Sequence, residues 1–290
     1  QNMVVMFIML FLSFCKIEPS QMRPHKWMGW LLLVQTGTFL AIAATIIFSL
    51  HSDGALARRI LEWRLPLEAL MLCMICPTAT ACSVVTGKLG GNMAGVITYT
   101  VLINIVVAVA VPLVIPLMYP EGYTFFNSFA RIISKTFPLL IMPCMCAWIV
   151  RYLAPKLHRR LVSHADLAFY IWSFSLTLAV LMSTRAIVSN EDSGRLMLRI
   201  ALISLLSCIF QFSVGKAIGS KYNCRISSGQ ALGQKNTVFC IWMGYTFMDP
   251  IVSVTGGFYS IWHNVFNSWQ MYRKQQEELI ERGETGLGRD

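Results

Sequence analysis

An all-α polytopic membrane fold is what this 290-residue sequence predicts, on three observations. Hydrophobic residues make up 56% of the chain and charged residues 13%, more apolar material than one soluble core of that size buries. The apolar residues fall into runs on the scale of the roughly 20 residues that a membrane-crossing helix needs. The polar segments between the runs are short, which leaves no room for a water-soluble domain beside them. An ordinary soluble enzyme is thereby excluded, as are a disordered chain and a small disulfide-stapled module, since 9 Cys in 290 residues is too sparse for the latter.

The apolar runs are 2–15, 26–50, 66–87, 92–118, 136–153, 161–189, 195–217, 228–249 and 250–271, so nine spans are expected. The chain is apolar almost from Gln1, with no basic n-region and no cleavage site, so no signal peptide is expected; a start without Met suits a trimmed chain or a fragment. Between the fourth and fifth runs, YTFFNSFARIISK (123–135) mixes aromatic and basic residues at helical spacing and reads as an interfacial helix. The predicted organisation is therefore a transmembrane domain over 1–271 (first half 1–118, linker 119–135, second half 136–271) and a frayed cytoplasmic tail over 272–290.

The net charge of +10 is explained by topology rather than by nucleic acid, because the bases lie in short loops between apolar runs. One set of alternate loops holds Lys16, Arg23, Lys26, Lys88, Arg151, Lys156, Arg159, Arg160, Lys216, Lys221, Arg225, Arg273 and Lys274. The opposite set holds only Arg58, Arg59, Arg64, Arg131, Lys135, Arg185 and Arg195. The positive-inside rule then puts the N-terminus outside and the C-terminus in the cytoplasm of a cell-membrane protein. Most cysteines sit inside apolar runs as small hydrophobes; Cys73 and Cys76 form C-x-x-C, but no second pair or His follows at zinc spacing, so no metal site is expected from them.

Two spans break the rules of a lipid-embedded helix. In the third, CMICPTATACSVVTGKLGGN, Pro77 removes a backbone donor, and Thr78, Thr80, Ser83 and Thr86 offer hydroxyls to the freed carbonyls. Taken alone, this is also what a simple proline kink looks like. In the eighth, SSGQALGQKNTVFCIW, Gly229 and Gly233 weaken the helix, and Gln230, Gln234, Lys235, Asn236 and Thr237 form a polar block prohibitive against lipid. A loop between two short surface helices is the alternative. The interruptions fall in the third and eighth of nine spans, each followed by one long span that closes its half. Matched interruptions of this kind mark an inverted-repeat secondary transporter with its site where the unwound segments meet. No G-K-S or G-K-T is present, so a primary pump is not expected.

The segment CPTATACSVVTGKLGGN resembles the C-P-G-G-T-x-S-N-x-x-T segment of the bile acid:sodium symporter family. GQKNT and FYSIWHN resemble that family's Q-N-S and S-x-W-H-N segments, and KIEPS its L-K-P-S, in order over nearly the whole chain. The resemblance implies two crossed, unwound helices in a core bundle, with the other helices forming a panel. It implies symport of an organic anion, and a substrate path that includes Cys82, Ser83, Asn236, Thr237, His263 and Asn264. It also maps the family's sodium sites onto Gln35, Thr100, Gln230, Gln234 and Lys235, with departures. Cys82-Ser83 stands where the family has Ser-Asn, Val96 replaces a hydroxyl, and the family's acidic ligand falls on Ala231 or Gln230. Hard cations want oxygen ligands and negative charge, so sodium, the only cofactor considered, is not expected to bind well. Lys235 reads instead as a built-in replacement for the cation, in contact with an anionic substrate and open to a proton-coupled role; snorkelling to the interface is the alternative.

The function expected is therefore secondary transport of a small organic anion, with the lipid bilayer as the other partner and no nucleic acid. Uniport, proton coupling and exchange remain open. Competing readings are an efflux transporter of the same fold (arsenite-type or for another solute) and a receptor that has lost transport. An intramembrane enzyme would have only Cys82 as nucleophile and a distant His263 as base, with no orienting group, so no catalytic residue is assigned.

Overall fold

The computed structural model describes residues 2–16, 18–119, 124–163 and 193–281, with positions 177, 181, 184 and 188. Among the described residues all extended regular elements are helices. These are α1 (Asn2–Cys15), α2 (Lys26–Leu50), α3 (Ala55–Glu62), α4 (Arg64–Ile75), α5 (Cys82–Lys88), α6 (Met93–Met118), α7 (Phe125–Leu140), α8 (Met142–Leu153), α9 (Pro155–Ser163), α10 (Ser193–Ser220), α11 (Arg225–Gly233), α12 (Thr237–Phe247) and α13 (Val254–Glu281). Short 3-10 turns lie at Pro19–Gln21 and Pro250–Ser253.

Lys26–Leu50, Met93–Met118, Phe125–Leu153 and Gly194–Ser220 are long and apolar enough to cross a membrane. Their outward faces carry large apolar side chains, such as Trp30, Leu33 and Phe48 on α2 and Leu198, Leu202 and Leu206 on α10. Continuous exposed apolar surface of that kind is what a bilayer covers. The chain is an all-α protein with the helices of a membrane-embedded one.

Three boundaries differ from the sequence reading. The linker helix does not stop at residue 135: α7 runs to Leu140, bends at Ile141 between Pro138 and Pro143, and continues as α8, giving one 29-residue apolar stretch. Its buried positions Ile132, Thr136, Leu139 and Leu140 recur every three or four residues and pack on α6, a stripe masked in the sequence by the aromatic and basic residues around it. The loop after α2 contains α3, a surface helix that buries only Ala57. Finally, α13 does not fray at 272 but extends to Glu281, where Arg273–Glu277 (3.9 Å) and Lys274–Glu278 (3.6 Å) are paired at i,i+4. Most of the sixth predicted span, including Arg185, and the last nine residues lie outside the described residues.

In the middle of the bundle α4 packs between α2 and α10, and α11 lies along α10. The close approach of α11 to α10 depends on small residues. A Cβ at Gly215 would stand 2.7 Å from the carbonyl oxygen of Ser228, and one at Gly233 2.5 Å from the Phe212 ring.

Candidate anion site at the helix crossing

The third and eighth predicted spans are both broken, and the breaks meet. Cys76 precedes Pro77 and has left the helical region (ψ 129°), as the proline ring requires of its predecessor, so α4 ends at Ile75. α11 ends at Gly233, and Gln234 and Asn236 are extended (ψ 101° and 83°) before α12 begins. Thr78 and Lys235 form an isolated antiparallel bridge. Asn236 N–H donates to Pro77 C=O (2.8 Å) and Ala79 N–H to Gln234 C=O (2.9 Å). Each break therefore satisfies backbone groups that the other would leave bare in an apolar interior.

Side chains lock the crossing. Thr78 Oγ1 donates to Ala231 C=O (2.7 Å), and Cys76 Sγ to Asn236 C=O (3.0 Å). Gln35, on α2, donates through Nε2 to Cys76 C=O (3.0 Å) and Ile75 C=O (3.3 Å), while its Oε1 accepts from Tyr99 OH (2.7 Å). The Asn236 side chain accepts from Phe239 N–H and caps α12.

Lys235 does not snorkel. It is 1% exposed, and its Nζ reaches Met74 C=O at a long 3.4 Å. Its electrostatic neighbours are the thiols of Cys76, Cys73, Cys240 and Cys82, and no carboxylate among the described residues pairs with it. Beside it, Asn236 Nδ2 and Gln234 Oε1 are buried without hydrogen-bond partners. A buried polar atom left unpaired costs about 1–3 kcal/mol, and a buried ammonium without counter-charge costs several kcal/mol. Around the crossing, therefore, the Lys235 amine has one long bond to a carbonyl and no carboxylate partner, and the Asn236 Nδ2 donor and the Gln234 Oε1 acceptor are unpaired among the described residues.

Of the other predicted site residues, Gln35, Cys82 and Asn236 lie around Lys235 at the crossing, and none of the predicted site residues hydrogen-bonds its Nζ among the described residues. Thr100 spends its hydroxyl on Val96 C=O of its own helix (2.9 Å). Gln230 points away, donating to Asn267 on α13 (3.0 Å). Ser83 is half-buried, and Cys82 is buried with Sγ 4.0 Å from Thr86 Oγ1. Thr237 is buried in the first turn of α12. His263 is buried with its Nδ1 unpartnered and its ring edge-on to Tyr259. Asn264, one position on, is exposed and bonds Ser260 C=O of its own helix (2.8 Å), so the structure does not bring it to the crossing. Of the oxygens assigned to sodium by resemblance, Gln35 Oε1 accepts from Tyr99 OH, the Thr100 hydroxyl donates to Val96 C=O, and Gln230 Oε1 and Gln234 Oε1 are buried without partners among the described residues; no carboxylate is among them.

Sequence reasoning named the Thr78 hydroxyl as a donor to freed carbonyls but not its partner Ala231, and it missed the buried partners Tyr99, Gln211, Tyr259 and Asn267. Gln211, on α10, donates to Cys73 C=O (3.3 Å), Ser207 Oγ (3.0 Å) and Tyr259 OH (3.1 Å), and Tyr259 OH donates to Gly233 C=O (2.8 Å). A lone Gln in the seventh apolar run was the available signal.

The two ends of the bundle differ. At one end Glu68, fully buried, accepts from Arg64 Nε (2.7 Å) and from Tyr119 OH, while Tyr119 Oη also accepts from Asp249 N–H (3.2 Å). Those contacts tie α4 and the end of α6 to the turn before α13. At the other end a cavity of about 630 Å³ opens between Gly90–Asn92 and Ser220–Ser227. Gly90 turns the chain there with φ +82°, a conformation that favours glycine. Ser227, on its wall, is seven residues from Gln234 along α11, about 10 Å at the helical rise of 1.5 Å per residue. No protein-family model matches the chain, and no characterised protein matches it by sequence.

Proposed function

We propose that this protein is a secondary transporter of a small organic anion, similar in plan to the bile acid:sodium symporters, with Lys235 in place of a bound cation. The observation that carries the reading is the buried Lys235 side chain, at the meeting of two broken helices, with no carboxylate partner among the described residues. An anion entering there would accept from Lys235 Nζ and Asn236 Nδ2 and relieve an uncompensated charge. The motif resemblance supports the same reading independently.

On this account the chain has nine spans in two inverted halves, 1–118 and 136–271, in the cell membrane, with the N-terminus outside and the C-terminus in the cytoplasm. The cavity beside Ser227 is the cytoplasmic entrance, and the Arg64–Glu68–Tyr119 cluster is the closed external side. A crossing closed at one end and approached by a cavity from the other suits one state of alternating access. Sodium has no role in this account, because the residues at its expected places include no carboxylate and do include the Lys235 side chain.

The experiment is a thermal-stability screen of the purified protein against carboxylates and sulfonates, followed by uptake into proteoliposomes. An anion at about a hundred times its Kd should add about 2.7 kcal/mol of stability, and Lys235→Met should remove that gain. No stabilisation by any anion, or equal stabilisation of Lys235→Met, would set the reading aside.

A further inference from the structure

A second polar feature runs beside the crossing. Thr255, Tyr259, His263 and Asn267 recur every four residues on α13, and all four are buried. They form a column about 18 Å long at the helical rise of 1.5 Å per residue. At its inner end the half-buried Gln270 donates to Asn267 Oδ1 (3.4 Å). At the other end Thr255 Oγ1 lies 3.2 Å from Cys73 Sγ, while Gln211 bonds Cys73 C=O and Tyr259 OH. Lys235 Nζ bonds the next carbonyl of α4, that of Met74. The column therefore begins one peptide from the carbonyl that Lys235 Nζ bonds and ends at the half-buried Gln270.

Along this column the protein does not complete its own hydrogen bonds. Gln211 Oε1, Gln230 Oε1, His263 Nδ1 and Asn267 Nδ2 are buried with no partner among the described residues, each residue being at most 5% exposed. The set includes acceptors (the two Oε1 atoms) and a donor (Asn267 Nδ2), which suits a ligand that both gives and receives hydrogen bonds. Water does both, and buried polar atoms lacking protein partners are where ordered water sits.

We propose that the α13 column holds a file of water molecules and that protons reach the helix crossing along it, making the proton the coupling ion of the transporter. His263 is the titratable member. Its imidazole takes a proton from water at one nitrogen as it releases one from the other, so the residue relays without net change. Among the described residues Tyr259 on α13 meets its ring edge-on, and Tyr259 packs in turn with Cys208 on α10 and Cys73 on α4; Lys216 on α10 lies over the Phe266 ring of α13 at 4.9 Å. None of these is a carboxylate that would trap the proton. Lys235, next to the far end of the file, is the group that exchanges protons with it as the anion binds and leaves. The inference rests on the anion-transporter reading for its coupling role but not for the water file.

Two measurements on the full chain test the two parts. Hydroxyl-radical footprinting in nanodiscs generates the radical from water in place, so water in the file should label Tyr259 and His263 despite their burial. Tyr99, equally buried but on α6, outside the column, should stay protected. Tyr259 and His263 as protected as Tyr99 would overturn the file. In proteoliposomes loaded with a pH dye, the carboxylate or sulfonate that most stabilises the protein should move internal pH as it enters. His263→Gln, which keeps hydrogen bonding without titrating, should keep the Tyr259 label yet slow pH-driven uptake at least tenfold; His263→Phe should lose both. Uptake with no pH change, or full-rate uptake by His263→Gln, would overturn the proton route. Absence of any anion uptake would count against the transporter reading, leaving the file to be decided by the footprint.

Discussion

Asn236 gives its backbone N–H to the carbonyl of Pro77 at 2.8 Å, across 159 residues of sequence, and this bond joins the two breaks that define the centre of the molecule. Pro77 and Gly233 stop their helices, yet the carbonyls and amides they free are not left bare. The short bridge between Thr78 and Lys235 fixes the backbone on both sides of the charged side chain, which holds Lys235 in the interior.

Thr78→Val should therefore weaken the crossing. Ala231, in the last turn of α11, accepts from Thr78 Oγ1 at 2.7 Å, and its carbonyl would be left buried without that donor. The expected cost is about 1–3 kcal/mol, the range for an orphaned buried group, read as a lower melting temperature in detergent. Thr78→Ser, which keeps the hydroxyl, should recover most of it.

The cluster at the closed end should behave as a unit. Glu68→Leu leaves Arg64 and Tyr119 without their acceptor, and because Arg64 keeps 28% side-chain exposure the loss should fall near the lower end, about 3 kcal/mol, of the range for breaking a buried pair. Tyr119→Phe removes two bonds, the one donated to Glu68 and the one accepted from Asp249 N–H, and should cost about 1–3 kcal/mol. Thermal unfolding of both single variants and the double variant gives the coupling, and strict additivity would show that the three side chains do not act together.

Glycine substitutions should separate packing from propensity. Gly215→Ala places a methyl 2.7 Å from the Ser228 carbonyl and should force α11 off α10, costing about 1–3 kcal/mol. Gly37→Ala, on the open face of α2 with nothing within 4 Å, should be neutral or stabilising by about 0.5–1 kcal/mol. Melting temperatures of the two variants moving in the same direction would contradict the packing described here.

Much of this was legible in the sequence because it depends on local chemistry. Pro77 and the Gly233–Asn236 block announce breaks wherever they occur, and the apolar runs announce helices. What was not legible depends on which residues meet. Gln230 and Lys235 share a segment, yet the end of α11 at Gly233 sends one to Asn267 and the other to Met74. Thr100 has a hydroxyl in the expected helix but bonds Val96, a choice that costs the helix nothing and that no spacing rule excludes. Asn264 and His263 are neighbours in one motif, but about 100° of helical rotation separates them, so one is exposed and the other buried. The helix of α13 past residue 272 was hidden because its stability comes from i,i+4 ion pairs rather than from an apolar stripe.

The central claim is that Lys235 supplies the positive charge that binds the anion. Its most direct test is the Kd of the stabilising anion, measured at matched ionic strength in sodium and in a large organic cation, for the unmodified protein and for Lys235→Gln. The account predicts that sodium changes the affinity of the unmodified protein less than tenfold, and that Lys235→Gln weakens binding by tenfold or more, about 1.4 kcal/mol. A tenfold or greater gain in sodium for the unmodified protein, or an unchanged Kd in Lys235→Gln, would contradict it.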